Sequence, residues 1–291
     1  YAYDELGDYP KAIQAYENSI ELDPDNPTVY YNLGYVFYEQ GSYLQAEHSY
    51  EKAIVLDPDN ADAYINLGNV YKKQGNYPQA IQTYENAIEL NPVYSQAYNN
   101  LGIVLKELNQ IDSAIDNWKK SIKIKPDYVH AYNNLGNALL EQKNPKSAID
   151  YYDKAILIDS KFYEAYFNHG NALQELGLFE DAIKSYEKAI NIKSDYAEAY
   201  YYKGNSLREI KLIEKAIENY EKAFKINPNL NNLFGSLVFA KHCLCDWKFY
   251  EKDLKINFSH QAKLFLLELD NKNEQIENTL EILSHGLPLL G

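Results

Sequence analysis

Apolar and small residues recur with a period of 34 along most of the chain. With Pro27 counted as position 1, positions 4, 7, 8 and 11 of each unit share one helical face, because they follow the i, i+3, i+4, i+7 spacing. A second helical stretch follows in each unit, and a proline at position 32 ends it in four of them. The pattern predicts units of two antiparallel helices at 27–60, 61–94, 95–128, 129–162, 163–196 and 197–230, after a truncated unit at 1–26.

Small and aromatic positions indicate how the helices pack. Glycine at position 8 and alanine at position 20 are expected where the two helices of a unit cross, since larger side chains would push them apart. Aromatic residues at position 24 are expected to fill the space between neighbouring units; they are Tyr50, Tyr84, Trp118, Tyr152, Tyr186 and Tyr220. His169 and Lys203 interrupt the otherwise apolar position 7, and we interpret both as sequence drift rather than as ligands, the lysine extending its ammonium group into water.

The combination of Tyr at position 4, Leu-Gly at positions 7 and 8, Ala at 20, an aromatic at 24 and Pro at 32 resembles the tetratricopeptide repeat. It covers about four fifths of the chain. The resemblance implies an all-α fold, a right-handed solenoid whose first helices line the concave side. Such an array is expected to bind proteins or peptides, and to contain no catalytic residue, cofactor or metal site of its own.

Charge and cysteine content indicate which classes of partner and which cellular compartment to expect. The net charge of −14 repels phosphate and anionic lipid, so we expect neither nucleic acid nor a membrane as partner. The chain has no run of about 20 apolar residues, and because its first residues lack a basic segment followed by an apolar one, we expect no secretory signal. The two cysteines, Cys243 and Cys245, are too few for a disulfide framework and favour a reducing, cytoplasmic location. Because the chain contains no Met, we read it as a fragment of a longer product.

Position 6 of the first helix carries the candidate binding residues. On a helix whose buried face is at positions 4, 7, 8 and 11, position 6 is expected to point away from the core. This position is asparagine in five successive units, a series we call the asparagine ladder: Asn32, Asn66, Asn100, Asn134 and Asn168. An Asn amide both donates and accepts, so the ladder is predicted to hold the backbone of an extended peptide. The alternative is that these residues only solvate the inner face, or remain alike through recent duplication.

The inner positions also separate two kinds of peptide binder. Some tetratricopeptide proteins bind C-terminal carboxylates through Lys or Arg at positions 2 and 6, but no full unit has a cation there. The ladder instead resembles the superhelix of the O-linked N-acetylglucosamine transferases, in which concave asparagines hold extended polypeptide substrates.

Residues 231–291 depart from the repeat and are predicted to be a helical cap or the start of a junction to a catalytic region. Cys245-Asp246-Trp247 resembles the junction of the same transferases, while His285 is interpreted as a helix-end residue. The resemblance implies a parent enzyme that transfers a sugar from a UDP-sugar donor to Ser or Thr, with this chain as its substrate-recruiting arm. The alternative is a stand-alone scaffold for assembling a protein complex.

Overall fold

A computed structural model of the chain describes residues 8–244, and this part consists of α-helices joined by short turns, without strands. The helices are α1 Tyr9–Leu22, α2 Pro27–Glu39, α3 Tyr43–Leu56, α4 Ala61–Lys73, α5 Tyr77–Leu90, α6 Ser95–Glu107, α7 Ile111–Ile124, α8 Val129–Glu141, α9 Pro145–Ile158, α10 Tyr163–Glu175, α11 Phe179–Ile192, α12 Ala197–Glu209, α13 Ile213–Ile226 and α14 Leu233–Cys243. The predicted residues Cys245, Asp246, Trp247 and His285 lie outside the described part.

The helices form a solenoid in which each 34-residue unit contributes one antiparallel pair. The second helix of a unit packs against its own first helix and against the first helix of the next unit. Consecutive first helices also contact one another, whereas within residues 8–244 the second helices make no comparable contacts among themselves. The first helices therefore lie on the inner side of the curved array. The prediction of an all-α solenoid is confirmed.

Every second helix from α3 to α13 ends at position 30 of its unit, whatever residue follows at position 32. Ser160 and Ser194 replace the usual proline after α9 and α11 without moving the helix end. The backbone N–H of position 31 donates to the carbonyl of position 27 in each case, as Asp159 does to Ala155 at 2.9 Å. The position of the helix end therefore does not depend on proline at position 32.

The glycine at position 8 and the aromatic residue at position 24 pack against each other within one unit. A Cβ added to Gly136 would lie 2.5 Å from a ring carbon of Tyr152, and one added to Gly170 would lie 2.6 Å from Tyr186. The rings reach the next unit as well, as expected for position 24: the ring centroid of Tyr186 lies 6.3 Å from that of Tyr202 in unit 197–230. The flat ring covers the glycine of its own unit because only a residue without a side chain lets it approach so closely.

The turn between the two helices of a unit needs a left-handed residue at position 15. Gly41, Gly75 and Gly177 provide it with φ between 74° and 82°. Asn109 and Lys143 adopt the same conformation with φ of 60° and 61°, as does Lys211 at 64°. Asparagine tolerates this region, but lysine has a Cβ that makes it unfavourable.

The two polar residues at position 7 form contacts between units. His169 Nδ1 lies 2.9 Å from Ser185 Oγ, and its Nε2 lies 3.4 Å from Asp153 of the preceding unit. Burial lowers the pKa of His169, and the nearby carboxylates oppose this shift. Lys203 Nζ pairs with Glu187 of the preceding unit at 2.8 Å. Each polar side chain thus has a partner across the interface that the periodic pattern could not assign.

Candidate peptide-binding surface

The asparagine ladder lies at the contact between adjacent first helices on the inner side of the solenoid. Four of its members are half-buried, and Asn100 is buried with 7% of its surface exposed. The ladder is therefore less exposed than the helical-face argument suggests, because the first helices of successive units approach one another closely at this position.

The ladder amides are tied to the preceding unit by hydrogen bonds. The Nδ2 of Asn134 donates to Asn99 Oδ1 at 3.0 Å, and the Nδ2 of Asn168 donates to Asn133 Oδ1 at 2.9 Å. Both bonds join position 6 of one unit to position 5 of the unit before it. The same relation joins Asn66 Nδ2 to the Tyr31 hydroxyl at 2.9 Å. These bonds fix the orientation of the amides before any ligand arrives.

Asn100 uses a second acceptor series that the sequence analysis missed. Its Nδ2 donates to Asn69 Oδ1 at 3.0 Å, and Asn69 occupies position 9 of the preceding unit. Asn69 also accepts a hydrogen bond from the hydroxyl of Tyr84 at 2.8 Å. Position 9 is again asparagine in three later units, where it accepts from the position-24 tyrosine: Asn137 from Tyr152, Asn171 from Tyr186 and Asn205 from Tyr220.

The sequence does contain a signal for these position-9 asparagines, because each occurs in a unit with tyrosine at position 24. Where position 9 is Ile103, position 24 is Trp118, which has no hydroxyl, and its indole N–H donates instead to the Asn99 carbonyl at 3.2 Å. Burial raises the pKa of Tyr220 to about 12 and that of Tyr186 further, so these hydroxyls stay protonated donors. The asparagine at position 9 is thus a partner for a buried tyrosine.

Each ladder amide keeps hydrogen-bonding capacity after these internal bonds. An Asn side chain has two N–H donors and an oxygen with two acceptor sites. Within residues 8–244, Asn66, Asn134 and Asn168 use one donor each and no acceptor site, while Asn32 uses neither. Asn100 accepts one bond from Asn99. Each of the five therefore retains at least one donor and one acceptor site, which can pair with the carbonyl and N–H groups of a peptide backbone.

Aromatic residues replace the ladder in the last complete unit. Position 6 is Tyr202 there, and its ring lies 5.5 Å edge-on from Phe167 at position 5 of the preceding unit. Tyr196 completes the cluster, with its ring 5.0 Å from that of Phe167. The inner surface therefore changes from amide to aromatic side chains between units 163–196 and 197–230.

Charges line one border of the inner surface, near the C-terminal ends of the first helices. Position 13 is glutamate in all full units except 61–94, which has Lys73. Lys106 pairs with Glu141 of the next unit at 2.5 Å, and Lys143 pairs with Glu175 at 3.6 Å. Positions 2 and 6, where a carboxylate clamp would need cations, have none in the full units.

The described part of the chain offers neither a metal-binding cluster nor a helix that could span a membrane. No cluster of three or more His, Cys, Asp and Glu residues there is arranged to hold a metal ion. None of the helices from α1 to α14 combines the length and apolar character needed to cross a membrane.

Several solved protein structures have a similar architecture. A chain of the APC/C hetero-tetramer Cut9–Hcn1 has a similar fold, with a TM-score of 0.70 and 20% identity over 82% of this chain and 47% of that one. MamA has a TM-score of 0.51 and 33% identity over 55% of this chain and 94% of that one. YrrB, a TPR protein with an unusual peptide-binding site, has a TM-score of 0.52 and 25% identity over 64% of this chain and 96% of that one.

The repeated helix pairs and their inner surface define a helical-repeat scaffold for protein–protein interaction. The chain belongs to the tetratricopeptide repeat family. One TPR repeat model matches residues 1–41, 34–75, 104–143 and 170–210, and a tetratricopeptide repeat model matches 61–94, 129–162 and 197–230. A further tetratricopeptide model matches 83–116. No curated protein sequence matches the chain.

Proposed function

We propose that the chain binds extended polypeptide segments along its inner surface, with the asparagine ladder bonding to the peptide backbone. The observation that carries the proposal is the state of the ladder amides. Each of Asn66, Asn134 and Asn168 is oriented by a bond to the preceding unit and retains a donor and an acceptor. Fixed polar groups bind a ligand at lower entropic cost than mobile ones.

The spacing of the repeats suits an extended chain. Packed helices lie about 8–10 Å apart, and an extended peptide advances about 3.3 Å per residue. One repeat therefore corresponds to about three peptide residues. A ladder of five asparagines would contact a segment of about 12–15 residues, and because it recognises backbone groups, it would tolerate varied side chains.

The test must separate ligand binding from the structural role of the same residues. We compare Asn134→Ala/Asn168→Ala with Asn99→Ala/Asn133→Ala, because the two variants break the same two inter-repeat hydrogen bonds from opposite sides; Asn99→Ala also removes the bond that Asn99 donates to Asn100. The probe is a set of random 12-residue peptides selected on the wild-type chain. Each lost hydrogen bond costs about 0.5–1.5 kcal/mol, so the ladder variant is expected to lose about 1–3 kcal/mol of binding free energy.

The control variant is expected to lose comparable stability but to bind the peptides within a factor of about three. Isothermal titration measures the binding, and urea unfolding measures the stability. Equal losses of affinity in the two variants would show that the ladder acts only through the structure. Unchanged affinity in both would remove the ladder from the binding site altogether.

A more specific proposal is that this solenoid recruits substrates for a protein glycosyltransferase similar to the O-linked N-acetylglucosamine transferases. The asparagine ladder and the Cys245-Asp246-Trp247 sequence support it. The product of the whole gene, incubated with a UDP-sugar and peptides selected on this chain, is expected to glycosylate Ser or Thr. Absence of transfer under these conditions would favour a stand-alone scaffold instead.

A further inference from the structure

Lys72 is a half-buried cation on one of the first helices, which form the inner side of the solenoid, and no counter-charge accompanies it within residues 8–244. It occupies position 12 of unit 61–94, in the last turn of α4, six residues after Asn66. No described residue between 8 and 244 lies within hydrogen-bond or ion-pair distance of its ammonium group. Burial and the adjacent Lys73 lower its pKa. A desolvated charge is costly unless it is paired.

Equivalent polar residues in other units do have partners, and these lie mostly on the next first helix. Lys106 pairs with Glu141 of α8 at 2.5 Å. Gln174 accepts a hydrogen bond from Ser206 of α12 at 3.0 Å. Arg208 lies over the ring of Phe239 in α14, with 5.9 Å between the guanidinium carbon and the ring centroid. Position 12 therefore points across the contact between successive first helices.

The next first helix offers Lys72 little compensation. The positions contacted by its equivalents are 9, 10 and 13, which in α6 are Ile103, Val104 and Glu107. Two of these are apolar, and Glu107 does not form the ion pair that its equivalent Glu141 makes with Lys106. Within residues 8–244, Lys72 thus has no carboxylate partner, although it lies on the same helix as Asn66.

We propose that Lys72 binds a carboxylate of the polypeptide held on the inner surface, namely an Asp or Glu side chain at a fixed place in the segment. This inference rests on the proposed peptide-binding function and adds a side-chain preference to it. Six residues of helix separate Lys72 from Asn66 by about 9 Å along the axis. An acidic side chain and the lysine stem together span that distance, while the peptide backbone follows the ladder.

The overall charge makes this preference testable. At −14, the chain repels acidic peptides in general, so a selected acidic residue must come from a local site. Phage-displayed random 12-residue peptides are selected on the wild-type chain, on Lys72→Gln and on Lys73→Gln. Lys73 is exposed and adjacent, so its substitution makes the same change in net charge. We expect an acidic residue at one peptide position with the wild type and Lys73→Gln, but not with Lys72→Gln.

A matched pair of peptides then quantifies the contact. Replacing the selected acidic residue by its amide is expected to weaken binding to the wild type about tenfold, consistent with a charged hydrogen bond, and to leave binding to Lys72→Gln unchanged. In chains whose lysines carry ¹³C-methyl groups, the Lys72 signal is identified by its loss in Lys72→Gln. Its pKa is expected to rise when the acidic peptide binds.

The outcomes distinguish this inference from the proposed function. Peptides that depend on the asparagine ladder but show no acidic preference, or show the same preference with Lys72→Gln, would overturn the role of Lys72 alone. A failure to select peptides, or peptides that bind the ladder variant as well as the wild type, would overturn the proposed function and this inference with it.

Discussion

Replacing Gly136 by alanine is predicted to destabilise the array despite improving helix propensity. The added Cβ would lie 2.5 Å from one ring carbon of Tyr152 and 2.9 Å from two others. Tyr152 is fully buried, and its hydroxyl donates to Asn137 at 2.7 Å, so the ring has nowhere to move without losing that bond.

The magnitude follows from three contributions. Overpacking costs about 1–3 kcal/mol, and loss of the Tyr152 hydrogen bond costs about 0.5–1.5 kcal/mol. Alanine in place of glycine inside a helix contributes about 1 kcal/mol in the opposite direction. The net loss is about 0.5–3.5 kcal/mol. Gly235→Ala is the matched control, because a Cβ there meets no atom within 4 Å and the variant should gain about 0.5–1 kcal/mol.

Urea unfolding followed by circular dichroism measures both variants. Because a repeat array can unfold in sections, hydrogen exchange of the amides in α8 and α9 shows whether the loss is local. Adding Tyr152→Leu should reduce the cost of Gly136→Ala, since the two residues are in contact. A Gly136→Ala midpoint equal to or above that of the wild type would refute the packing argument.

Three further predictions concern stability. Lys143→Gly and Lys211→Gly should each raise the free energy of unfolding by up to about 1 kcal/mol, because glycine removes the strain of a left-handed residue; a decrease in urea midpoint would contradict this. Tyr186→Phe should cost about 0.5–1.5 kcal/mol by leaving Asn171 Oδ1 without its donor, and an unchanged midpoint would show that water replaces the hydroxyl. Burial lowers the pKa of His169 in the folded chain, so protonation favours unfolding: stability should be complete above the unfolded pKa of about 6.5 and fall as the pH drops below it. Unfolding from pH 7.5 to 5 should show a smaller fall in His169→Gln, and identical slopes would discount the histidine.

Much of the fold is predictable because each repeat encodes it locally. The 34-residue period sets the helix pairs, and the small residue at position 8 marks where a ring must lie. The contact of that ring with the glycine of its own unit was not predicted, because a sequence gives the size of the residue but not the neighbour that covers it. Gly136 and Tyr152 belong to the same unit, 129–162, but only the structure shows that they are in contact.

The candidate site was predictable as a row of residues but not in its hydrogen bonding. The recurrence of Asn66, Asn100 and Asn134 was visible at once, since a period of 34 aligns them on one side of the first helices. Their half-burial was not, because it depends on how closely consecutive first helices approach. The role of Asn69 was also missed, because its partners lie 15 and 31 residues away in the sequence.

The sequence by itself determined the repeat, the helix pairs and the identity of the inner-face residues, because these follow from local periodicity and side-chain size. Tertiary structure alone decided which polar groups are already satisfied. Asn134 and Asn168 are oriented by neighbours from the preceding unit, whereas Lys72 meets no such partner among the described residues. Hydrogen bonds and ion pairs require atoms within about 3–4 Å in a suitable direction, and that condition is set by the packing of one repeat on the next.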